Sequence, residues 1–413
     1  MIDGGTNWAG NIRYRAQRVV RPRTVAEVAA VVTSAPRVRA LGSRHSFNDI
    51  ADTDGVLIEL SELAEPPSLD PATGVVRVPA GMRYGDLAPW LDEQGRALPN
   101  LASLPHISVA GAIATGTHGS GERVGSLATQ VAAVEMVDGT GSLVRVQRGD
   151  PDFDGSVVSL GALGIVTAVE LESEPTFDMA QTVFEGVRWD DALAGFDDLQ
   201  SRADSVSLFT TWRSSEVIDQ VWMKSRAGQP DLAAFGGTPA DGPRHPLPGI
   251  DPEPCTAQMG VRGRWYDRLP HFRLAFTPSA GDELQSEYLV PRAEATEALT
   301  VLRRLASHIA ELLLVCEVRT IAADRLWLSS AYERDTVGLH FTWRRDVDAV
   351  TAFLPVLEAA LPASARPHWG KLFTLDGDAL ASRYPRWDDF LALRARRDPS
   401  RRFVNAWAER LGL

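Results

Sequence analysis

The sequence predicts an α+β protein built from two domains. Three observations carry that expectation. The chain has 413 residues, and at a rough prior of about 150 residues per domain this allows two domains and a large core. Its first third alternates helix and strand signals. From about Thr176 the texture changes to longer alternating segments, which puts a boundary near residue 175. The expected layout is 1–175, 176–375 and a helical segment over 376–413.

Taken in order, TVAEVAAVVTSA (Thr24 to Ala35) opens on a threonine cap with glutamate three residues later and then shows a helical apolar face. RVRAL and GVLIEL read as strands, as does GVVRVPAG (Gly74 to Gly81). A helix through GDLAPWLDEQG stops at Gly95. QVAAVEMVDGTGSLVRVQ (Gln130 to Gln147) is a hairpin around Asp138-Gly139, and GIVTAVELE is a further strand. A Pro/Gly-rich loop from Gly228 to Pro254 is long enough to be either mobile or a packed excursion. LQSEYLV, AEATEALTVLRRLASHIA and ELLLVCEVRTIA read as strand, helix and strand, and DDFLALRARRDPSRRFVNAWAERLGL reads as helical.

Composition narrows the function. A net charge of −12 argues against nucleic acid or an anionic membrane surface, because both attract excess Lys and Arg. No apolar run approaches the roughly 20 residues of a bilayer span, and MIDGGTNWAGNIRYRA has no signal-peptide core. The expected location is cytoplasmic. The two cysteines, Cys255 and Cys316, exclude a disulfide framework. The histidines show no close metal spacing, and no nucleophile elbow or P-loop is present. Redox chemistry on a bound organic cofactor is left as a candidate.

Two regions carry site-like features. LASLPHISVAGAIATGTHGSGERVG (Leu101 to Gly125) is dense in glycine, so backbone can approach a ligand closely and amide N–H groups can cradle phosphate. A flexible loop is the plainer reading, but Val109, Ala110, Ala112 and Ile113 are too apolar for one. In LLLVCEVRTIA, Glu317 and Arg319 share a strand face by the period of two, and in VGLHFTW so do His340 and Thr342. RPHWGKL adds His368 and Lys371. Singly, these read as an ion pair, a core histidine and a solvated lysine. Together they describe the polar floor of a pocket suited to a hydroxyl-rich substrate.

LGSRHSFNDI places His45 in a short polar turn after a strand-like run, a context in which a histidine is usually a surface residue. RALGSRHSFND, SLPHISVAGAIATGTHGSG and GALGIVTAVEL resemble the FAD-binding domain of the vanillyl-alcohol-oxidase type of flavoprotein. EVRT, HFTW and PHWGK resemble the substrate-domain signatures of its sugar-oxidising branch, the aldonolactone oxidases and the bacterial alditol (xylitol) oxidases. The resemblance spans essentially the whole chain. It implies an FAD-binding domain over 1–175, a sheet-based substrate (cap) domain over 176–375, and a C-terminal segment packing back on the first.

By that resemblance His45 is joined covalently to the C8 methyl of FAD. Ala40, Leu41, Gly42, Ser43, Arg44, His45 and Ser46 wrap the cofactor. Ser103, Ser108, Gly111, Thr115, Gly116, Thr117 and His118 continue the cradle, with Val166 touching it through backbone. Ser103, Gln285, Glu317, Arg319, His340, Thr342 and Lys371 line the substrate site. Arg319 and Lys371 stabilise a developing alkoxide and Glu317 holds hydroxyls and orients Arg319. Small Ala102 leaves room for oxygen at the flavin. The implied reaction oxidises the terminal hydroxyl of an alditol such as xylitol or sorbitol to the aldose, oxygen becoming hydrogen peroxide. The implied partners are a polyol and oxygen, with no metal, nucleic acid or membrane, in a monomer. An aldonolactone oxidase or dehydrogenase of the same fold is the enzymatic alternative. A non-catalytic flavin- or carbohydrate-binding protein is the alternative of another class.

Overall fold

The computed structural model describes residues 4–63, 65–276 and 281–413. Chain order begins with a three-stranded parallel sheet, Arg18–Val20, Val56–Glu59 and Val38–Leu41 in spatial order. The helix Val25–Ser34 crosses between its strands, and Thr24 Oγ1 accepts from Glu27 N at 3.2 Å, as the capping pattern requires. A five-stranded antiparallel sheet follows, in the order Ser68–Leu69, Val75–Pro79, Gly164–Glu172, Val131–Asp138, Leu143–Gln147. The last two form the hairpin expected around Asp138-Gly139.

The third sheet is antiparallel and much larger. Its principal strands run in the order Asp178–Glu185, Gln220–Ser225, Ser205–Thr210, Leu313–Ile321, Thr336–Arg344, Glu283–Pro291. Alternation along each strand divides it into two chemically distinct faces. Val206, Leu208, Cys316, Val318, Val337, Leu339 and Phe341 bury one face under the helices Trp189–Ala194, Phe196–Ser201, Ala295–Arg304 and Val347–Ala360. Val315, Glu317 and Arg319 on Leu313–Ile321 and His340 and Thr342 on Thr336–Arg344 lie on the other face.

Two segments read as single helices are broken. Ala295–Arg304 and Ala306–Leu312 meet at Leu305. At the C-terminal side, Trp387–Arg397 and Ala406–Arg410 are separated at Asp398-Pro399. Proline has no N–H to continue the ladder, and the Asp398 carboxylate instead accepts from Arg402 N and Phe403 N, both at 2.8 Å. Trp387, Phe390, Leu393 and Trp407 of these helices share one core with Leu87, Val134 and Leu163 of the first domain. The Gly228–Pro254 stretch is a packed excursion: Gln220 Nε2 donates to His245 O at 2.9 Å, and Arg244 pairs with Glu185 at 2.8 Å.

The domains are stitched along the glycine-rich segment. Gly121 N donates to Thr320 O and Ala322 N to Val124 O, both at 2.9 Å, and Ser120 Oγ donates to Val206 O at 2.6 Å. The polar strand Leu313–Ile321 is therefore bound directly to the segment expected to cradle a cofactor.

Candidate active site

One cavity of about 650 Å³ runs between the domains, within the range of about 300–1,000 Å³ typical of ligand sites. It is lined by Glu59, Leu60 and Ser61, by Ala40 through Ser46, and by Ser103, Ser108, Gly111, Thr115, Thr117 and Val166. The inner end reaches Gln285, Glu287, Glu317, Arg319, His340, Thr342 and Lys371. The two sets of residues expected from the sequence are thus on one continuous wall.

Close backbone approach shapes the middle of that wall. A Cβ on Gly42 would lie 2.6 Å from Ser108 Oγ, and one on Gly111 would lie 2.7 Å from the same atom. Glycine at both positions lets the 40–46 turn sit close to the helix Val109–Ala114 around the Ser108 hydroxyl, while Ser108 N donates to Ser43 Oγ at 3.1 Å. Val109, Ala112 and Ile113 are buried, so the segment is a packed element. Gly116 supplies a left-handed turn at φ 65° between Thr115 and Thr117, which both line the cavity.

His45 is held firmly in the turn. Its ring stacks on Trp8 at 5.3 Å with 20° between planes, and Nδ1–H donates to Ser43 O at 2.9 Å. Burial pushes its pKa down to about 4, so the imidazole is neutral near pH 7. The N-terminal segment clamps the same turn: Trp8 N donates to Arg44 O at 2.8 Å and Asn7 Nδ2 to Ser46 O at 2.9 Å. Asn48 Nδ2 donates to Trp369 O and Lys371 O at 2.9 and 2.7 Å, tying this turn to the loop that carries Lys371.

The inner end is a grid set by strand register. Phe209, Glu317, His340 and Glu287 are successive cross-strand partners and form one row. Val315, Thr342 and Gln285 form the next, and Arg319 pairs with Gly338 on the other side. Gly338 has a specific reason to lack a side chain: a Cβ there would sit 3.1 Å from Glu287 Oε1.

Glu287, which the sequence reading passed over, is the hub. Its carboxylate accepts from Arg319 Nη2 at 3.0 Å and from Lys371 Nζ at 2.6 Å, and His118 Nε2 stands 3.3 Å away. Burial alone would raise this carboxyl, but Lys371, Arg319 and His118 outweigh it and hold the group well below the usual carboxylate range. Its signal was available in LQSEYLV, where it shares a face with Gln285 by the period of two.

Glu317 is the second hub. Arg319 Nη1 lies 3.5 Å from its Oε2, His340 Nδ1 3.5 Å from the same oxygen, and His271 Nε2 2.9 Å from Oε1. Burial opposes ionisation, and Arg319 and His271 overcome it. Arg319 Nη1 also donates to Ser103 Oγ at 3.3 Å, joining the glycine-rich segment to the sheet. His340 is pushed down to about 4 by burial, with Lys371 acting in the same sense, and its Nε2 has no protein partner. Lys371 is lowered by burial against the opposing pull of Glu287. Gln285 Nε2 donates to Glu283 Oε1 at 2.7 Å.

The site offers paired cations and carboxylates at one end of a long groove, and known proteins divide along the same line. The model for an FAD binding domain matches residues 16–147, and that for D-arabinono-1,4-lactone oxidase matches 282–411. Alditol oxidase from Streptomyces sp. is 50% identical, with 97% of each chain covered. The chain belongs to the vanillyl-alcohol-oxidase-type FAD-dependent oxidoreductases. L-Gulono-1,4-lactone dehydrogenase of Mycobacterium tuberculosis is 31% identical over 98% of both chains, and L-gulonolactone oxidase of Bos taurus 26% over 98% and 97%.

Membership in this oxidoreductase family agrees with fold comparison. Cholesterol oxidase from B. sterolicum superposes with a TM-score of 0.76 at 16% identity, covering 98% of this chain and 96% of that one. The FAD-domain match contains the 40–46 turn and the 103–118 segment, and the second match contains both acidic hubs. The groove fits a dinucleotide: glycine-enforced close approach, a neutral histidine in the turn and a polar pocket at its inner end. Among the described residues no acid, His or Cys cluster has a metal-binding arrangement, and no helix is long and apolar enough to cross a membrane.

Proposed function

We propose that this enzyme oxidises the terminal hydroxyl of alditols such as xylitol and sorbitol to the aldose, with FAD attached covalently through His45 and oxygen reduced to hydrogen peroxide. The observation that carries the reading is the row of Glu317, His340 and Glu287 flanked by Arg319 and Lys371. Buried donors and acceptors at this density favour a ligand that answers them with hydroxyls and penalise one that cannot.

Bound FAD supplies the two-electron acceptor that takes hydride and returns electrons to oxygen. The chain supplies orientation and charge. Arg319 and Lys371, fixed through Glu287, present two cations where an alkoxide develops. Burial lowers Lys371, but its ion pair with Glu287 favours the ammonium, so its role here is electrostatic. Glu317 Oε2, Thr342 and Gln285 meet hydroxyls further along the substrate. His45 stays neutral and stacked on Trp8, ready for covalent attachment. Ala102 lines the groove and leaves space for oxygen.

The second reading, an aldonolactone oxidase or dehydrogenase, is favoured by the match of residues 282–411 to the lactone-oxidase model. Anaerobic mixing of the yellow protein with xylitol, followed at the oxidised flavin band and then by admitting air, separates them. Bleaching and recovery with peroxide supports alditol oxidation. Bleaching by an aldonolactone alone moves the assignment to the second reading, and recovery without peroxide removes the oxidase.

A further inference from the structure

Behind Glu317, away from the groove, lies a buried cation that the reaction above does not use. Lys224 is 1% exposed, on the strand Gln220–Ser225, with no carboxylate bonded to it. Its Nζ has three acceptors: Leu269 O at 2.5 Å, Pro270 O at 3.1 Å and His271 Nδ1 at 3.1 Å. An ammonium has three N–H donors, so all are used. On the far side of the same ring, His271 Nε2 is 2.9 Å from Glu317 Oε1.

The protonation pattern follows from what each end can do. Lys224 as an ammonium only donates, and the ionised carboxylate of Glu317 only accepts. An imidazole between them accepts at Nδ1 and donates from Nε2. The edges of the ring are packed by Phe209 and Trp222 at 5.4 and 5.3 Å, and His271 N donates to Ser103 O at 3.1 Å, so the ring has little freedom to turn.

We propose that Lys224 and His271 are positioning residues for the polyol site: Lys224 fixes His271 as the Nε2–H tautomer, which engages Oε1 of Glu317 and leaves Oε2 for a substrate hydroxyl. This rests on the alditol reading. Oε2 is the oxygen that faces Arg319 and His340. Lys224 also keeps the relay at one charge, because an ammonium against Nδ1 opposes a second proton on the ring. The ring is accordingly held at about 4, first by burial and then by Lys224, while burial brings Lys224 itself down to about 7. Arg319, Arg268, Cys255 and Glu317 are the other charged or titratable groups acting on the pair.

The test uses the flavin-loaded enzyme and four variants. His271→Gln keeps the pattern without titrating, since its amide oxygen accepts from Lys224 and its NH₂ donates to Glu317. His271→Leu removes both. In ¹⁵N-histidine spectra, wild-type His271, identified by its loss in His271→Gln, shows an unprotonated Nδ1 and protonated Nε2 between about pH 5 and 6.5, where Lys224 holds its proton. In Lys224→Met the ring takes up a second proton in that window, and kcat/KM for xylitol gains an inflection there that the double variant Lys224→Met/His271→Gln lacks. His271→Leu loses about tenfold or more in kcat/KM, as expected for a hydrogen bond to a charged group, and His271→Gln recovers most of it.

Equal kcat/KM in His271→Leu and His271→Gln, or a protonated Nδ1 in the wild type within that window, overturns the proposal. Should Lys224→Met not fold, the two His271 variants still decide it. Failure of xylitol to reduce the wild-type flavin sinks the alditol reading instead, and the ring spectra still test the relay.

Discussion

Lys371 Nζ and Glu287 Oε2 form a 2.6 Å ion pair in which the Glu287 side chain has no exposure. The same carboxylate binds Arg319, so one negative charge positions both cations of the pocket. Glu287→Gln leaves Arg319 and Lys371 facing each other without it. Removing one partner of a buried ion pair costs about 3–5 kcal/mol, so chemical denaturation should show a loss of that order. Unchanged stability would mean the cations are held by something else.

Arg319→Ala and Lys371→Met should slow flavin reduction by xylitol about a hundredfold or more, the range seen when one preorganised charge-stabilising donor is lost. FAD content should persist, since both side chains lie at the inner end of the groove. Rapid-reaction traces with wild-type reduction rates in both variants would remove them from the chemistry.

His45→Ala should give protein whose yellow colour is released by acid precipitation, whereas wild-type colour stays with the pellet. Trp8→Ala should slow the attachment without abolishing it, because Trp8 orients the ring by stacking at 5.3 Å. Retention of colour in the pellet of His45→Ala would exclude His45 as the anchor.

Gly338→Ala places a methyl 3.1 Å from Glu287 Oε1 and 3.3 Å from Ile321 Cδ1. Overpacking of this kind costs about 1–3 kcal/mol, and here it also displaces the acidic hub. The expected result is a lower melting temperature together with a lower kcat/KM at normal flavin content. A variant with normal kcat/KM would show that Glu287 tolerates displacement.

His271 and His340 stand at about 4 in the folded protein against an ordinary value of 6.5. Between those values the unfolded chain binds more protons than the native one, so stability falls as the pH drops. Their contribution is complete above about 6.5 and is lost progressively toward 4. His340→Gln should flatten the acid limb of the stability curve measured by urea unfolding, and an unchanged limb would show that His340 already carries a proton in the native state.

Much of this site can be read from strand alternation. Glu317 with Arg319, and His340 with Thr342, share faces by the period of two, and the sheet places them in adjacent rows. Glu287 obeys the same rule, but a lone glutamate in a strand has no sequence-local partner to mark it. Its cations come from Arg319 and Lys371, on a strand two places away in the sheet and on a distant loop. His271 and Lys224 are harder still: their roles depend on the Leu269 and Pro270 carbonyls turning toward another strand. Pairings of that kind are fixed by tertiary packing and leave no periodic trace. The break at Asp398-Pro399 was visible as a proline, yet the helical pattern on both sides masked it.

The stitches from Gly121 to Thr320 and from Ala322 to Val124 weld the two halves where the pocket forms. Parting the domains would break both hydrogen bonds. Leu247 and half-exposed Ile250 of the Gly228–Pro254 excursion line the same cavity. Turnover should then survive a covalent tether across the weld.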